Sequence, residues 1–240
     1  MAQPRYALSM ARGVQTTRAA AWALGIAASL LARSAAPEPA GRHAVKALSV
    51  EAQGTEETAA PPGPPVAWAA VLPPIAIENA NTRARASVRL YAPDGAIDPL
   101  AFDAFVRVVS DGAEGAPIHP RVVQLAIKAA YQVGAKTLVV ISAYRPANRG
   151  GPHGNGDALD FKLPGTDARK LASLLRGYPR AGVGIYTHPQ TQYVHLDVRD
   201  KSFHWLDASP PGRTWREAAL TDKKRDLRDD AYTPESDLPR

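Results

Sequence analysis

The sequence predicts an α+β fold, with a central, mostly antiparallel sheet and flanking helices in a single domain. Short apolar or alternating segments typical of strands are interspersed with amphipathic segments typical of helices. The two kinds of segment do not follow one another in the regular β-α-β order that favours a parallel sheet. The predicted domain spans residues 80–220.

The first predicted elements are a strand, a turn and a helix. Residues 86–91 alternate as in a half-buried strand, and Pro-Asp-Gly at 93–95 predicts a turn. The pair Asp98-Pro99 is typical of a helix start, with Asp98 as the N-cap. The apolar face of this helix is predicted to comprise Leu100, Phe102, Phe105 and Val109.

A second helix and a central strand follow. Pro120 is expected to open the helix and Gly134 to end it. The nearly continuous apolar run at 137–142 is typical of a buried strand.

The last predicted elements are three strands and one helix. Residues 158–162, 183–186 and 193–198 are expected to form strands, and 166–176 a helix capped by Thr166.

The N-terminal residues 1–36 have the pattern of an export signal. Arginines without any acidic residue precede an apolar run of about 14 residues, too short to span a bilayer, and small residues follow at 32–36. Cleavage would lower the formal net charge from +6 to +2. We therefore expect an exported protein of the periplasm or cell envelope; an uncleaved, membrane-anchored N terminus is the alternative.

The segments on either side of the domain differ from it in composition. Residues 37–79 are rich in Pro and Ala and predict an extended linker. Residues 221–240 are highly charged and predict a disordered tail.

The composition excludes several kinds of site and partner. The chain has no cysteine, which excludes disulfides, thiolate zinc sites, a cysteine nucleophile and lipid attachment through cysteine. Lysine and arginine do not cluster on a recognisable binding element, so we expect no nucleic-acid partner. Contact with a membrane is expected only through the signal, and the protein is expected to be a monomer.

Two short segments carry the chemistry. Tyr193, His195 and Asp197 alternate along one predicted strand, so their side chains point to the same face. His153 precedes a glycine-containing turn, and Asp160 lies on the strand that follows it. Together the segments offer two imidazoles and a carboxylate, a ligand set suited to a catalytic zinc with one open coordination position. An ordinary hydrogen-bonded His–Asp pair is the alternative.

Four motifs in chain order resemble those of the zinc D-Ala-D-Ala metallopeptidase superfamily, which also includes the hedgehog signalling domain. Within it, the likeness is to the exported bacterial murein endopeptidases, and it covers residues 86–207. The motifs are Ser142-Ala-Tyr144-Arg145, His153-x-x-Gly156-x-Ala158-x-Asp160, Gly182-Val-Gly184-Ile-Tyr186 and Val194-His195-Leu-Asp197. The chain departs from the family in the short segment 146–152, where relatives carry a longer loop, and in Ala143, which replaces a glycine.

The resemblance implies a zinc site and a fold. His153, Asp160 and His195 would be the zinc ligands, on a hedgehog/D-Ala-D-Ala-peptidase-like fold. Asp197 would be the general base or, alternatively, a carboxylate that orients His195. Arg145 would orient a substrate carboxylate or polarise the scissile carbonyl.

The remaining expected substrate contacts lie around that site. Ser142 and Tyr144 would shape the same wall as Arg145. Tyr193 shares the face of the predicted ligand strand, and His188 lies in a turn expected beside the site.

The implied function is zinc-dependent hydrolysis of peptide cross-links in peptidoglycan, with the peptide stems as the binding partner. Carboxypeptidase action on those stems is a variant of the same chemistry. A metal-binding but non-catalytic module that binds cell wall or protein is the alternative, and a structural domain without metal is a third hypothesis.

Overall fold

The computed structural model describes residues 63–110, 115–147, 150–213, 215 and 217–239, which belong to one compact unit, Thr58–Arg240. The predicted export signal and the first part of the predicted linker lie outside the described residues. Within the described part, none of the helices has the length and apolar character needed to cross a membrane.

The structure contains short strands and helices, in agreement with the predicted α+β class. Its described strands are β1 (Ile75–Asn79), β2 (Arg85–Val88), β3 (Thr137–Ser142), β4 (Ala158–Lys162), β5 (Ala181–Tyr186), β6 (Val194–Val198), β7 (Phe203–Asp207) and β8 (Ala218–Ala219). Its described α-helices are α1 (Ala67–Val71), α2 (Pro99–Val109), α3 (Pro120–Gln132), α4 (Pro152–Asn155), α5 (Ala168–Leu175) and α6 (Arg225–Asp230). A 3-10 helix follows at Pro234–Asp237.

All eight described strands form one open, mixed sheet in the order β2-β1-β3-β4-β6-β5-β7-β8. Five neighbouring pairs are antiparallel, whereas β1 with β3 and β5 with β7 are parallel. The sheet is therefore mixed but mostly antiparallel, as predicted. The two parallel pairs join strands that are not consecutive in the chain, and local periodicity carries no information about such pairs.

The hydrophobic core lies between the sheet and helices that pack on one of its faces. Leu159 and Phe161 of β4 and Val194 and Leu196 of β6 are fully buried in this core. The alternate residues of the same strands point to the opposite face because successive strand side chains alternate. The candidate site residues occupy that opposite face.

Capping explains where the two longer helices begin. The carboxylate of Asp98 accepts hydrogen bonds from the backbone N–H of Leu100 (2.8 Å) and Ala101 (3.2 Å), which confirms Asp98 as the N-cap of α2. His119 caps α3 through Nδ1, and Pro120 is the first helical residue, as predicted. The expectation that Leu100 belongs to the buried face is wrong: its side chain lies in the first turn and is 78% exposed.

Helix α5 begins later than the sequence predicts. Asp167, not Thr166, is its N-cap, accepting from Arg169 N (2.8 Å) and Lys170 N (3.1 Å). Thr166 instead belongs to the preceding turn, where its N–H donates to Leu163 O at 2.9 Å. Both residues are of a type that caps helices, but Thr166 is part of the turn, which leaves Asp167 as the N-cap.

The predicted domain boundaries are wrong on both sides. Strand β1, assigned to the linker 37–79, lies inside the sheet between β2 and β3. The described part of the predicted tail 221–240 is folded, and its Asp229 and Asp237 are 4% and 3% exposed. These elements were not predicted because they lie in proline-rich and highly charged segments. Composition is averaged over a window of residues, and a five-residue strand or a single buried carboxylate does not change that average.

Candidate metal centre

One row of residues crosses the sheet on the face opposite the core. Asp160 of β4 is paired with His195 of β6, His195 with Gly184 of β5, and Gly184 with Trp205 of β7. Ser142 of β3 is paired with Asp160 at the other end of the row. Strand register therefore brings the second and third motifs beside the fourth, and the first motif beside the second.

Helix α4 brings His153 to this row. It is a single turn that ends at Gly156, whose φ of 82° is in the left-handed region. A Cβ at Gly156 would overlap the backbone carbonyl of Pro117, so both the conformation and the space require glycine. The carbonyl of His153 also accepts from Arg145 N at 2.9 Å, which fixes α4 against the end of β3.

Three ligand atoms converge on one point. His153 Nε2 lies 3.2 Å from His195 Nδ1 and 3.3 Å from Asp160 Oδ1, and His195 Nδ1 lies 2.9 Å from Asp160 Oδ1. Zinc bonds of about 2.0–2.1 Å place tetrahedral ligand atoms roughly 3.3 Å apart. We call His153, Asp160 and His195, all of them buried, the metal cluster; they are suited to hold one metal ion.

The outer nitrogen of each imidazole has an acceptor of its own. His153 Nδ1 lies 2.6 Å from the carbonyl oxygen of Ala143, and His195 Nε2 lies 3.0 Å from Asp197 Oδ2. Donation of N–H to these oxygens leaves His153 Nε2 and His195 Nδ1 with lone pairs directed at the common point. Such outward hydrogen bonds are typical of metal-binding histidines.

Electrostatics of the metal cluster also favour a cation. Burial acts to raise the pKa of Asp160, but hydrogen bonds and charge interactions with the two imidazoles hold it well below its usual range. Burial acts to lower the pKa of His195, but Asp160 and Asp197 outweigh this and raise it to about 9. Without a metal, the two carboxylates thus retain a proton on His195. A bound metal ion would replace that proton.

The position of Asp197 differs from that expected of a general base. Its carboxylate accepts from His195 Nε2, on the side of the ring away from the common point. Arg199 donates to both of its oxygens, through Nε to Oδ1 at 2.5 Å and through Nη2 to Oδ2. This geometry does not support Asp197 as the proton acceptor. It agrees with the alternative prediction, a carboxylate that orients His195.

Arg145 and Ser142 lie at the metal cluster, as predicted. Arg145 donates through Nη2 to Asp160 Oδ2 at 2.9 Å and through Nε to Ser142 Oγ at 2.5 Å. The side chain of Arg145 is nevertheless 45% exposed. One edge of its guanidinium is therefore anchored while the group remains accessible to a ligand.

The other three predicted substrate contacts, Tyr193, Tyr144 and His188, differ in their surroundings. Tyr193 immediately precedes β6, and its ring centroid lies 4.3 Å from that of Tyr186. Burial raises the pKa of Tyr193, and the charge of Asp160 acts in the same direction. Tyr144 packs against the hydrophobic core, and His188 Nδ1 accepts from Gln190 N within its own turn. Among the described residues, neither Tyr144 nor His188 makes a hydrogen bond or ring contact with the metal cluster.

Two residues beside His195 were not predicted from the sequence. The indole of Trp205 lies 4.8 Å, centroid to centroid, from the ring of His195, and Arg199 holds Asp197. A Cβ at Gly184 would overlap the indole, and one at Gly182 would overlap the Asp197–Arg199 pair. The Gly182-x-Gly184 motif was the signal available in the sequence, because glycines at alternate strand positions on one face leave room for large neighbours.

The chain matches no protein-family model, no curated protein and no solved structure in three comparisons with known proteins.

Proposed function

We propose that the metal cluster binds one zinc ion and that the protein is a peptidase that hydrolyses peptide cross-links in peptidoglycan. The observation that carries this proposal is the buried triangle of ligand atoms 2.9–3.3 Å apart, with both imidazoles oriented by outward hydrogen bonds. The motif resemblance supports a D-Ala-D-Ala-peptidase-like fold, and the predicted export signal supports action in the periplasm or cell envelope.

The donor set favours zinc over other common metals. Two imidazole nitrogens and one carboxylate oxygen are typical of catalytic zinc sites, which leave a further position for water or substrate. Magnesium and calcium prefer oxygen ligands throughout, and the metal cluster offers only Asp160 Oδ1 as an oxygen.

The chemistry that follows is hydrolysis. A bound zinc acts as a Lewis acid and lowers the pKa of water. Arg145 contributes the positive charge beside the cluster, where its accessible N–H groups are placed to bind a substrate carboxylate or the oxygen of the scissile carbonyl. Asp197 and the carbonyl of Ala143 keep the two imidazoles in the required orientation.

One observation favours a second function, a metal-binding module that binds cell wall or protein without cleaving it. The carboxylate expected to accept a proton, Asp197, is engaged by His195 and Arg199. A hydrolase needs a proton acceptor within reach of the attacking water, directly or through one further water. Binding without cleavage therefore becomes the outcome to test against peptidase activity.

The test uses the full chain, stripped of metal and reloaded with zinc. We expect about one zinc per chain by elemental analysis, loss of this zinc in His195→Ala, and retention of it in the matched variant His188→Ala. Purified cross-linked muropeptides are then incubated with the zinc-loaded protein and analysed by mass spectrometry. Cleavage supports the peptidase. Zinc binding with muropeptide binding but no cleavage supports the module, and no zinc in the wild type contradicts both.

A further inference from the structure

Arg199 stands behind the metal cluster and touches none of its three residues in the described contacts. It contacts Asp197 by two hydrogen bonds, and Asp197 in turn accepts from His195 Nε2. The three side chains thus form a linear series, Arg199 to Asp197 to His195, that ends at the Nδ1 atom facing the common point. The orientation of this imidazole depends on where the Asp197 carboxylate is held.

A glycine on the neighbouring strand leaves space for the side chains of Asp197 and Arg199. Gly182 of β5 is paired with Asp197 and with Phe203 on its two sides. A Cβ at Gly182 would overlap both carboxylate oxygens of Asp197 and Nη2 of Arg199. The Arg199–Asp197 pair therefore lies directly over the glycine, in a space that a larger residue would fill.

Two aromatic rings hold the guanidinium of Arg199 in place. Its carbon atom Cζ lies 5.8 Å from the ring centroid of Phe203 and 5.9 Å from that of Trp205. Trp205 also contacts the ring of His195. Both the carboxylate that orients His195 and the ring that packs against it are thus in contact with Arg199, and the ring contacts restrict the rotamers that the long arginine side chain adopts.

We propose that Arg199 is a positioning residue that sets the metal affinity of the cluster by holding Asp197, and through it His195, in the metal-binding orientation. This role rests on the proposed metal centre. A planar guanidinium suits it because two parallel N–H donors fix both oxygens of a carboxylate, whereas an ammonium group does not. Asp197 is only 1% exposed, so its carboxylate depends on protein partners rather than on bulk water.

The first experiment compares zinc affinities at fixed pH by competition with a chromophoric chelator. Since partners of metal ligands typically contribute about 10–100-fold to metal affinity, we expect Arg199→Gln to weaken zinc binding by that factor without changing the stoichiometry. Arg199→Lys should retain part of the affinity. Arg228→Gln is the matched control, because Arg228 is also a partly buried arginine, paired with Asp222 away from the metal cluster, and it should bind zinc as the wild type does.

A double-mutant cycle separates positioning from a general structural effect. In an Asp197→Asn background, Arg199→Gln should produce little further loss of zinc affinity, because the carboxylate through which Arg199 acts is gone. Unchanged or tighter binding in Arg199→Gln overturns the proposal and leaves the zinc site intact. Equal losses in both backgrounds also overturn it, by showing that Arg199 acts independently of Asp197. Absence of zinc from the wild type overturns the metal centre together with this role.

Discussion

The metal cluster and the C-terminal segment, residues 221–239, both bury carboxylates, but the partners of those carboxylates differ. Asp229 of the C-terminal segment accepts from Arg180 N, Ser202 N and Ser202 Oγ, each at 2.7 Å. Asp160 faces two imidazole nitrogens that point at the same place as its own oxygen. Burial of a carboxylate alone therefore does not identify a functional site in this protein. The convergence of several possible ligand atoms on one point is what distinguishes the candidate metal site.

The largest expected difference between the two regions is in metal binding. Asp160→Asn removes a charged ligand, and we expect zinc affinity to fall by more than about 100-fold, beyond the loss typical of a ligand's outer partner. Asp229→Asn should leave zinc stoichiometry and affinity unchanged. Chelator competition on both variants measures this contrast. Similar affinities in the two variants would show that Asp160 is not a ligand.

For the free energy of unfolding, we expect the large effect at the C-terminal segment rather than at the metal cluster. Asp229→Asn weakens three hydrogen bonds to a buried charge and leaves donors unsatisfied, so we expect a loss of about 2–3 kcal/mol in the free energy of unfolding. Urea denaturation of the metal-free proteins measures it. Asp226→Asn, at an exposed position in α6, is the control and should change the stability little. A wild-type denaturation curve for Asp229→Asn would mean that the buried carboxylate of Asp229 does not stabilise the fold.

A smaller effect is expected from the glycine beneath Trp205. A Cβ in Gly184→Ala displaces the indole that packs on His195, and we expect zinc affinity to fall by about 10-fold. Gly177→Ala, placed after α5 and away from the site, serves as the control. Near-UV circular dichroism reports on the indole environment. Unchanged spectrum and affinity would show that Trp205 does not support His195.

The smallest expected effect is a pH dependence that arises at His204 of β7, which lies against Asp222 of the C-terminal segment. Burial, followed by the positive charge of Arg176, lowers the pKa of His204 to about 4, below its ordinary value of about 6.5, despite the opposing charge of Asp222. The unfolded chain therefore binds more protons between these values, and stability falls as the pH is lowered from 6.5 towards 4.

The measurement compares urea denaturation of the metal-free wild type and His204→Gln at pH 7 and pH 4.5. The wild type should lose on the order of 1 kcal/mol more than the variant, after allowance for solvent screening. Equal losses would show that His204 does not contribute to the acid sensitivity.

The local pattern of apolar and capping residues predicted most of the helices and strands around the site. The apolar run of β3 and the Asp98 cap of α2 were predicted and are present. In contrast, β1 and α6 were not predicted, since each is a short segment whose stability comes from contacts with distant parts of the chain. Asp229 illustrates this dependence, because its partners Arg180 and Ser202 are 49 and 27 residues away.

The sequence by itself determined which face each strand residue occupies, since alternation along a strand depends on spacing alone. It therefore placed His195 and Asp197 on one face, and the tight turn at Gly156 indicated that His153 approaches Asp160. Only the tertiary structure decided how the two predicted carboxylates are placed around His195. Pairing of β4 with β6 places Asp160 at Nδ1 of His195, while Arg199 holds Asp197 at Nε2. Strand register is set by contacts between distant residues, and so is the choice of partner for each nitrogen of an imidazole ring. Strand periodicity does not encode these contacts.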